Sequence, residues 1–223
     1  MKIELKHTIW KSYKDNKSLY TGVQRFSTWM SRVNRIAEKI EANPAKVKYY
    51  TCDKTEPKDI ANKFRGDCFE GFCEMLLKLM ENDKRIGIAK YEPCMSDDYG
   101  IDGRGVGLNG RLATVQIKFR SEYDKELHGV KDHLHNFVNA SHEEGVTINE
   151  NYNMLIITTG KGIFYRDMLA EWLSTVRYIA PNESWGCFKN EKYVPQDPTN
   201  MFSLQSLVDD NTPFWNNVFE NIL

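Results

Sequence analysis

Apolar positions recur three and four residues apart along TGVQRFSTWMSRVNRIAEKIEANP: Val23, Phe26, Trp29 with Met30, Val33, Ile36 with Ala37, and Ile40. That spacing is the inner face of one amphipathic helix, which ends before Pro44. A second helix is predicted from Pro57 or Asp59 to about Met80, with Ile60, Phe64, Phe69, Phe72, Leu76 and Leu77 inward. Gly66 and Gly71 each weaken it by about 1 kcal/mol against alanine, so a break or a close contact is expected near Gly66.

The period then shortens from helical spacing to alternation. RIGIAKYEP, the stretch around YGIDGRG and RLATVQIKF read as strands, the last two joined through LNGR, where Asn-Gly signals a hairpin. A helix is predicted from about Lys125 to His142, NMLIITTG is an apolar run of strand length, and FYRDMLAEWLSTV reads as the helix after it. This order predicts an α/β protein, a mixed β-sheet flanked by helices. From Pro181 onward, Phe202, Leu204, Leu207, Phe214, Trp215 and Val218 need burial, which predicts a packed C-terminal extension.

Composition narrows the classes without choosing among them. The 223 residues are 41% hydrophobic and 27% charged, ordinary for a globular chain. No run of about eighteen apolar residues is present, and MKIELKHTIWK lacks the apolar core of a secretory signal, so a cytoplasmic protein without a membrane partner is expected. The cysteines at 52, 68, 73, 94 and 187 form no CxxC pair and read as reduced thiols.

Charge is uneven along the chain. Residues 1–60 carry thirteen Lys/Arg against seven Asp/Glu, and residues 181–223 carry two against six. A basic first quarter suits a phosphate-contacting segment, with Arg25, Arg32, Arg35 and Lys39 on the outer face of the first long helix. A solvated helix would carry the same charges.

The chemistry concentrates at the hairpin. Asp102 lies between Gly100 and Gly103, at a strand end where the backbone is free to approach a ligand. Gln116 and Lys118 share one face of the next strand, and a hairpin centred on Asn109-Gly110 sets residue 102 near 116 or 118. A strand with one wet face would show the same alternation, with Val115, Ile117 and Phe119 inward. The alternative is a site: Asp102, the Gln116 amide oxygen and the Ile117 backbone carbonyl are the oxygen ligands Mg²⁺ prefers, and Lys118 would orient or deprotonate an attacking water. Glu70 and Glu74, one turn apart amid apolar residues of the preceding helix, need a partner; a metal, the hairpin lysine or surface cations would serve.

Together GDCFEGFCEMLLKL, DDYGIDG and ATVQIKF resemble the helix-borne FE, the GxD strand end and the QxK strand of the PD-(D/E)xK nuclease superfamily, most closely its Mrr-like restriction endonuclease branch. NMLIITTGKGIFYRDMLAEWL is similar to the strand and helix that follow in that branch. The resemblance covers residues 59–180 and implies a restriction-endonuclease-like core there. Residues 1–58 would be a basic, largely helical N-terminal segment, and 181–223 an extension packed on the core.

What the resemblance implies is an Mg²⁺-dependent DNA endonuclease in which Mn²⁺ substitutes. Asp102, Gln116 and the Ile117 carbonyl would hold metal, Lys118 would be the catalytic lysine, and Glu70 would complete the acidic site as a further ligand. Gln116 departs from the commoner acidic second ligand, which makes Glu70 more needed.

Arg104 and Arg111 at the hairpin, and Lys161 in TTGKG, are further candidates for DNA contact. A homodimer would suit double-strand breaks. Two other readings share the same residues: a non-catalytic nucleic-acid-binding module, and a nuclease subunit whose aromatic tail docks on a partner protein through an exposed patch near Trp215. A nucleotide-binding P-loop is not expected, since the hairpin glycines match neither GxxxxGK[ST] nor a strand-to-helix GxGxxG.

Overall fold

The computed structural model describes residues 3–43, 50–120, 127–128, 133–146, 152–160, 162–165, 176–181, 186–189, 192–195 and 200–221. These gather into two compact units, one of residues 1–79 with 207–223 and the other of residues 80–206. The expected boundary at residue 58 is therefore displaced. The second long helix groups with the N-terminal helices, with which it shares buried surface.

The first unit is helical. Short helices α1 (Ile9–Ser12) and α2 (Asn16–Tyr20) precede α3 (Phe26–Ala42) and α4 (Pro57–Leu79). In α3, Phe26, Trp29, Met30, Val33, Ala37 and Ile40 are buried, as their spacing predicts. Asp209 accepts the Phe26 N–H at 2.7 Å and so satisfies one of the open donors at the start of that helix.

Helix α4 is unbroken through Gly66, around which a side chain would meet nothing. The close contact falls one turn later, at Gly71, against Ile9 and Trp10. Aromatic rings fill the interior: Phe72 lies 4.6 Å from Trp29 and 6.3 Å from both Phe214 and Trp215, centroid to centroid. Each such fully buried side chain contributes about 1.5–3 kcal/mol. Trp215 belongs to the last helix (Thr212–Asn221), is fully buried and donates its indole N–H to the Val208 carbonyl at 2.7 Å. Trp215 itself is therefore unavailable to the exposed docking patch expected near it, since hydrophobic burial inside this unit consumes the ring.

The second unit is built on a six-stranded mixed sheet. Its strands are β1 (Ile88–Asp98), β2 (Ile101–Gly107), β3 (Leu112–Lys118), β5 (Met154–Thr158), β7 (Val176–Ala180) and β10 (Met201–Ser203), in the order β1-β2-β3-β5-β7-β10. The first three form an antiparallel meander, and β3 continues into parallel β5, β7 and β10. A smaller sheet has the order β4-β6-β8-β9, made of Leu127–His128, Gly162–Tyr165, Gly186–Lys189 and Lys192–Pro195.

Several expectations shift here. The predicted helix from Lys125 begins only at Leu134, as α5 (Leu134–Glu143), and residues 127–128 form β4 instead. In FYRDMLAEWLSTV the first two residues lie in β6 and the last in β7, while residues 166–175 fall outside the described residues. The C-terminal extension divides: β8, β9 and β10 belong to the second unit, and residues 207–223 to the first. Cys52, Cys68, Cys73 and Cys94 are unbridged. Among the described residues no helix is long and apolar enough to cross a membrane.

The wet-faced hairpin is the largest correction. Strand β3 is central, so residues 113–117 are buried on both faces, with Leu112 exposed at one end and Lys118 partly exposed at the other. Helix α5 covers one face, where Leu134, Phe137, Val138, Met154, Ile156 and Tyr178 form a closed core. Two bonds fasten the helix there: Thr114 Oγ1 to Ser141 Oγ at 2.8 Å, and Arg104 to Glu144. Gln116 lies on this buried face.

Candidate active site

The register of the hairpin brings the predicted residues together. Gly103 is opposite Val115 in the antiparallel β2–β3 pair, which sets Asp102 across from Gln116, with Cβ atoms of such pairs about 5 Å apart. Asp102 Oδ2 accepts the Ile117 N–H at 2.5 Å. The Ile117 carbonyl leaves the strand on the same edge as that amide, so it too faces Asp102. Lys118 follows Gln116 on the same face by alternation.

Two aromatic and glycine contacts fix the acid. The Tyr91 hydroxyl donates to the Asp102 carbonyl at 3.3 Å, and its ring fills the space a side chain at Gly103 would need. Gly103 thus admits a tyrosine rather than a ligand. The turn before Asp102 consists of Tyr99 and Gly100, with φ of 51° and 89°, between the paired residues Asp98 and Ile101. A Cβ on Gly100 would come within 2.9 Å of Gln116 Nε2 and 3.5 Å of the Phe137 N, so the carboxamide is enclosed between this turn and the first turns of α5.

Gln116 is fully buried, and neither its Oε1 nor its Nε2 has a hydrogen-bond partner among the described residues. A buried amide left unpaired costs about 1–3 kcal/mol. An oxygen donor held there at such expense, beside a carboxylate and a main-chain carbonyl, fits a hard divalent cation. Gln116→Met, which keeps volume and removes the unpaired amide, is expected to raise the thermal midpoint by about 2–4 °C. A midpoint lowered by that much would mean the amide is satisfied in the folded protein.

Lys118 sits at the exposed end of β3. Its carbonyl accepts from Thr158 Oγ1 at 2.8 Å and from the Thr159 N–H at 3.3 Å, and Thr159 Oγ1 bridges onward to the Arg120 backbone. The strand end is thereby fixed while the ammonium makes no ion pair among the described residues.

Glu70 belongs to the first unit, whereas Asp102, Gln116 and Lys118 belong to the second. Its carboxylate accepts from His7 Nε2 at 2.8 Å. His7, Asp67 and Glu70 bring one ligand atom each within 4.8 Å of one another, a grouping the sequence did not reveal because His7 lies sixty residues or more from the other two. Burial would lower the His7 pKa, but the hydrogen bond to Glu70 and the charges of Glu70, Asp67 and Glu74 outweigh it and raise it.

The hydrogen bonds of this trio are those of a closed network rather than an open donor set. His7 Nδ1 accepts the Ile9 N–H at 3.2 Å, which leaves the neutral ring's hydrogen on Nε2, directed at Glu70. A metal on Nε2 would need that hydrogen on Nδ1, facing another donor. Asp67 already accepts from the Tyr50 hydroxyl at 2.5 Å and from Lys63 at 3.1 Å. Tyr50 is pushed well above its ordinary pKa, by burial first and then by the Asp67 charge. Glu74 is satisfied too, by the Lys6 and His7 amides, the Trp10 indole and Lys78.

The basic candidates separate as well. Arg25 pairs with Asp210, both exposed, and Arg32 donates to the Ser18 and Thr21 carbonyls at 3.0 and 2.6 Å, where it closes the end of α2. Arg104 is bound to Glu144. Arg35, Lys39 and Arg111 are exposed and make no ion pair among the described residues. Lys161 lies outside the described residues.

Comparison with known proteins adds no relative: no protein-family model, curated protein or solved structure matches the chain.

Proposed function

We propose that the chain is a divalent-metal-dependent DNA endonuclease of the PD-(D/E)xK type, with its site at the β2–β3 hairpin. The observation that carries this reading is Gln116: a fully buried carboxamide with no hydrogen-bond partner among the described residues, beside the Asp102 carboxylate and the Ile117 carbonyl. Mg²⁺ is the expected ion, with Mn²⁺ as a substitute, and the mixed sheet with helices on its faces agrees with the fold that the D…QxK resemblance implies.

Asp102, Gln116 Oε1 and the Ile117 carbonyl would hold the ion. A bound divalent cation polarises a phosphoryl oxygen and supplies hydroxide near neutral pH. The Ile117 amide donates to Asp102 Oδ2 and so holds the carboxylate beside β3. Lys118, on the same face, places a positive charge where negative charge gathers on the phosphate and orients the attacking water. Helix α5 excludes bulk water from Gln116, which strengthens each of these interactions.

The test is cleavage of unmodified, methylated, hydroxymethylated and branched DNA with Mg²⁺ or Mn²⁺, against a chelator control and Asp102→Ala. Metal-dependent cutting lost in the variant is the expected result. DNA binding without cutting of any substrate would favour a non-catalytic nucleic-acid module, and cutting by Asp102→Ala at the parent rate would remove the site.

A further inference from the structure

We infer that Tyr99 is a stacking platform for a base next to the scissile phosphate, so that the preferred substrate has an unpaired or easily unstacked base at the cut. The inference rests on the nuclease reading of the Asp102 site and names the kind of DNA that site takes.

The argument begins with the turn. Asp98 and Ile101 are paired, so Tyr99 and Gly100 form a two-residue hairpin loop, and both have positive φ, 51° and 89°. A loop of this type favours Asn, Asp or Gly at both positions, because a Cβ in the left-handed region crowds the following carbonyl. Gly100 meets that demand and lies against the Gln116 amide. Tyr99 does not meet it.

A strained aromatic residue is usually repaid by packing. Tyr99 is 77% exposed, the most exposed large hydrophobic side chain among the described residues, so its ring buries little within the chain. Neither the backbone nor the core accounts for a ring there. A contact outside the chain does, and strain of this kind gathers where such contacts are made.

The position selects the contact. Tyr99 stands three residues before Asp102, on a turn whose other residue lies against Gln116, so a strand whose phosphate approaches Asp102 and Lys118 brings its neighbouring bases past this ring. An exposed phenol offers a flat apolar face with a polar tip, which suits a base face. Stacking of that kind tolerates any base, but needs one that has left the duplex stack.

Two variants separate the ring from the turn. Tyr99→Asn suits the left-handed backbone and removes the ring; Tyr99→Phe keeps it. Each is made in the full chain carrying Lys118→Ala, in EDTA, so that no cutting intervenes, and thermal unfolding checks the fold. The probe is a duplex with one unpaired 2-aminopurine, beside a fully paired duplex of the same sequence.

The Tyr99 protein and its Phe variant are expected to quench the 2-aminopurine on binding. Tyr99→Asn should lose the quench and bind the unpaired site about tenfold more weakly, with the paired duplex little changed. Equal binding and quenching by the Asn variant would overturn the stacking role and leave the nuclease reading standing. Loss in Phe as well as Asn would also overturn it, since the hydroxyl and not the ring would then make the contact. A parent protein that binds neither duplex would remove both readings.

Discussion

Lys118→Ala is expected to lower the single-turnover rate of metal-dependent DNA cleavage by at least a hundredfold, with the fold and DNA binding largely kept. The rate effect follows from place: the residue ends β3 on the face of Gln116, on a strand end held by Thr158 and Thr159 through the backbone. The fold is spared because the ammonium has no ion pair among the described residues, so its removal strands no buried charge. Lys118→Arg divides the two roles a lysine can take. Arginine stays charged at any working pH. A rate within about tenfold of the parent would assign a charge-stabilising role, and a loss as deep as alanine's would assign proton transfer or exact placement. Parent-like cleavage by Lys118→Ala would sink the mechanism.

Glu74→Ala is expected to cost about 3–5 kcal/mol of stability, read as a lowered midpoint in urea unfolding. Glu74 is fully buried and is where the N-terminal strand of chain is tied to α4. Its carboxylate accepts the Lys6 N–H at 2.7 Å, the His7 N–H at 2.9 Å, the Trp10 indole N–H at 3.1 Å, and the Lys78 ammonium at 3.1 Å. Alanine leaves all four donors without their acceptor in a site from which water is excluded. Glu74→Gln should recover only part of the loss, because its amide presents two hydrogens to neighbours that are themselves donors. A change under about 1 kcal/mol for the alanine variant would show that solvent can replace the carboxylate. The sequence marked Glu74 as needing a partner but left the partner open among a metal, the hairpin lysine and surface cations. The structure supplies two backbone amides and the Trp10 indole, which no sequence pattern specifies, together with the cation of Lys78 one turn along α4.

Sequence alone determined the local elements whose residues carry their own signal. The apolar spacing of α3 and α4, the Asn-Gly turn and the strands flanking it appear where periodicity and turn chemistry place them, because these depend on neighbours within a few residues. Alternation also placed Gln116 and Lys118 on one face, and the turn set Asp102 opposite.

Tertiary structure decided everything that depends on distant neighbours. It made β3 a central strand, which turned Gln116 from a candidate surface residue into a buried, unpaired amide. It joined Glu70 to His7, gave Arg32 to the end of α2, buried Trp215 and assigned α4 to the helical unit. The physical reason is common to these cases. A side chain's type and period fix which face of its element it occupies, whereas its burial and its partners are set by which other element covers that face.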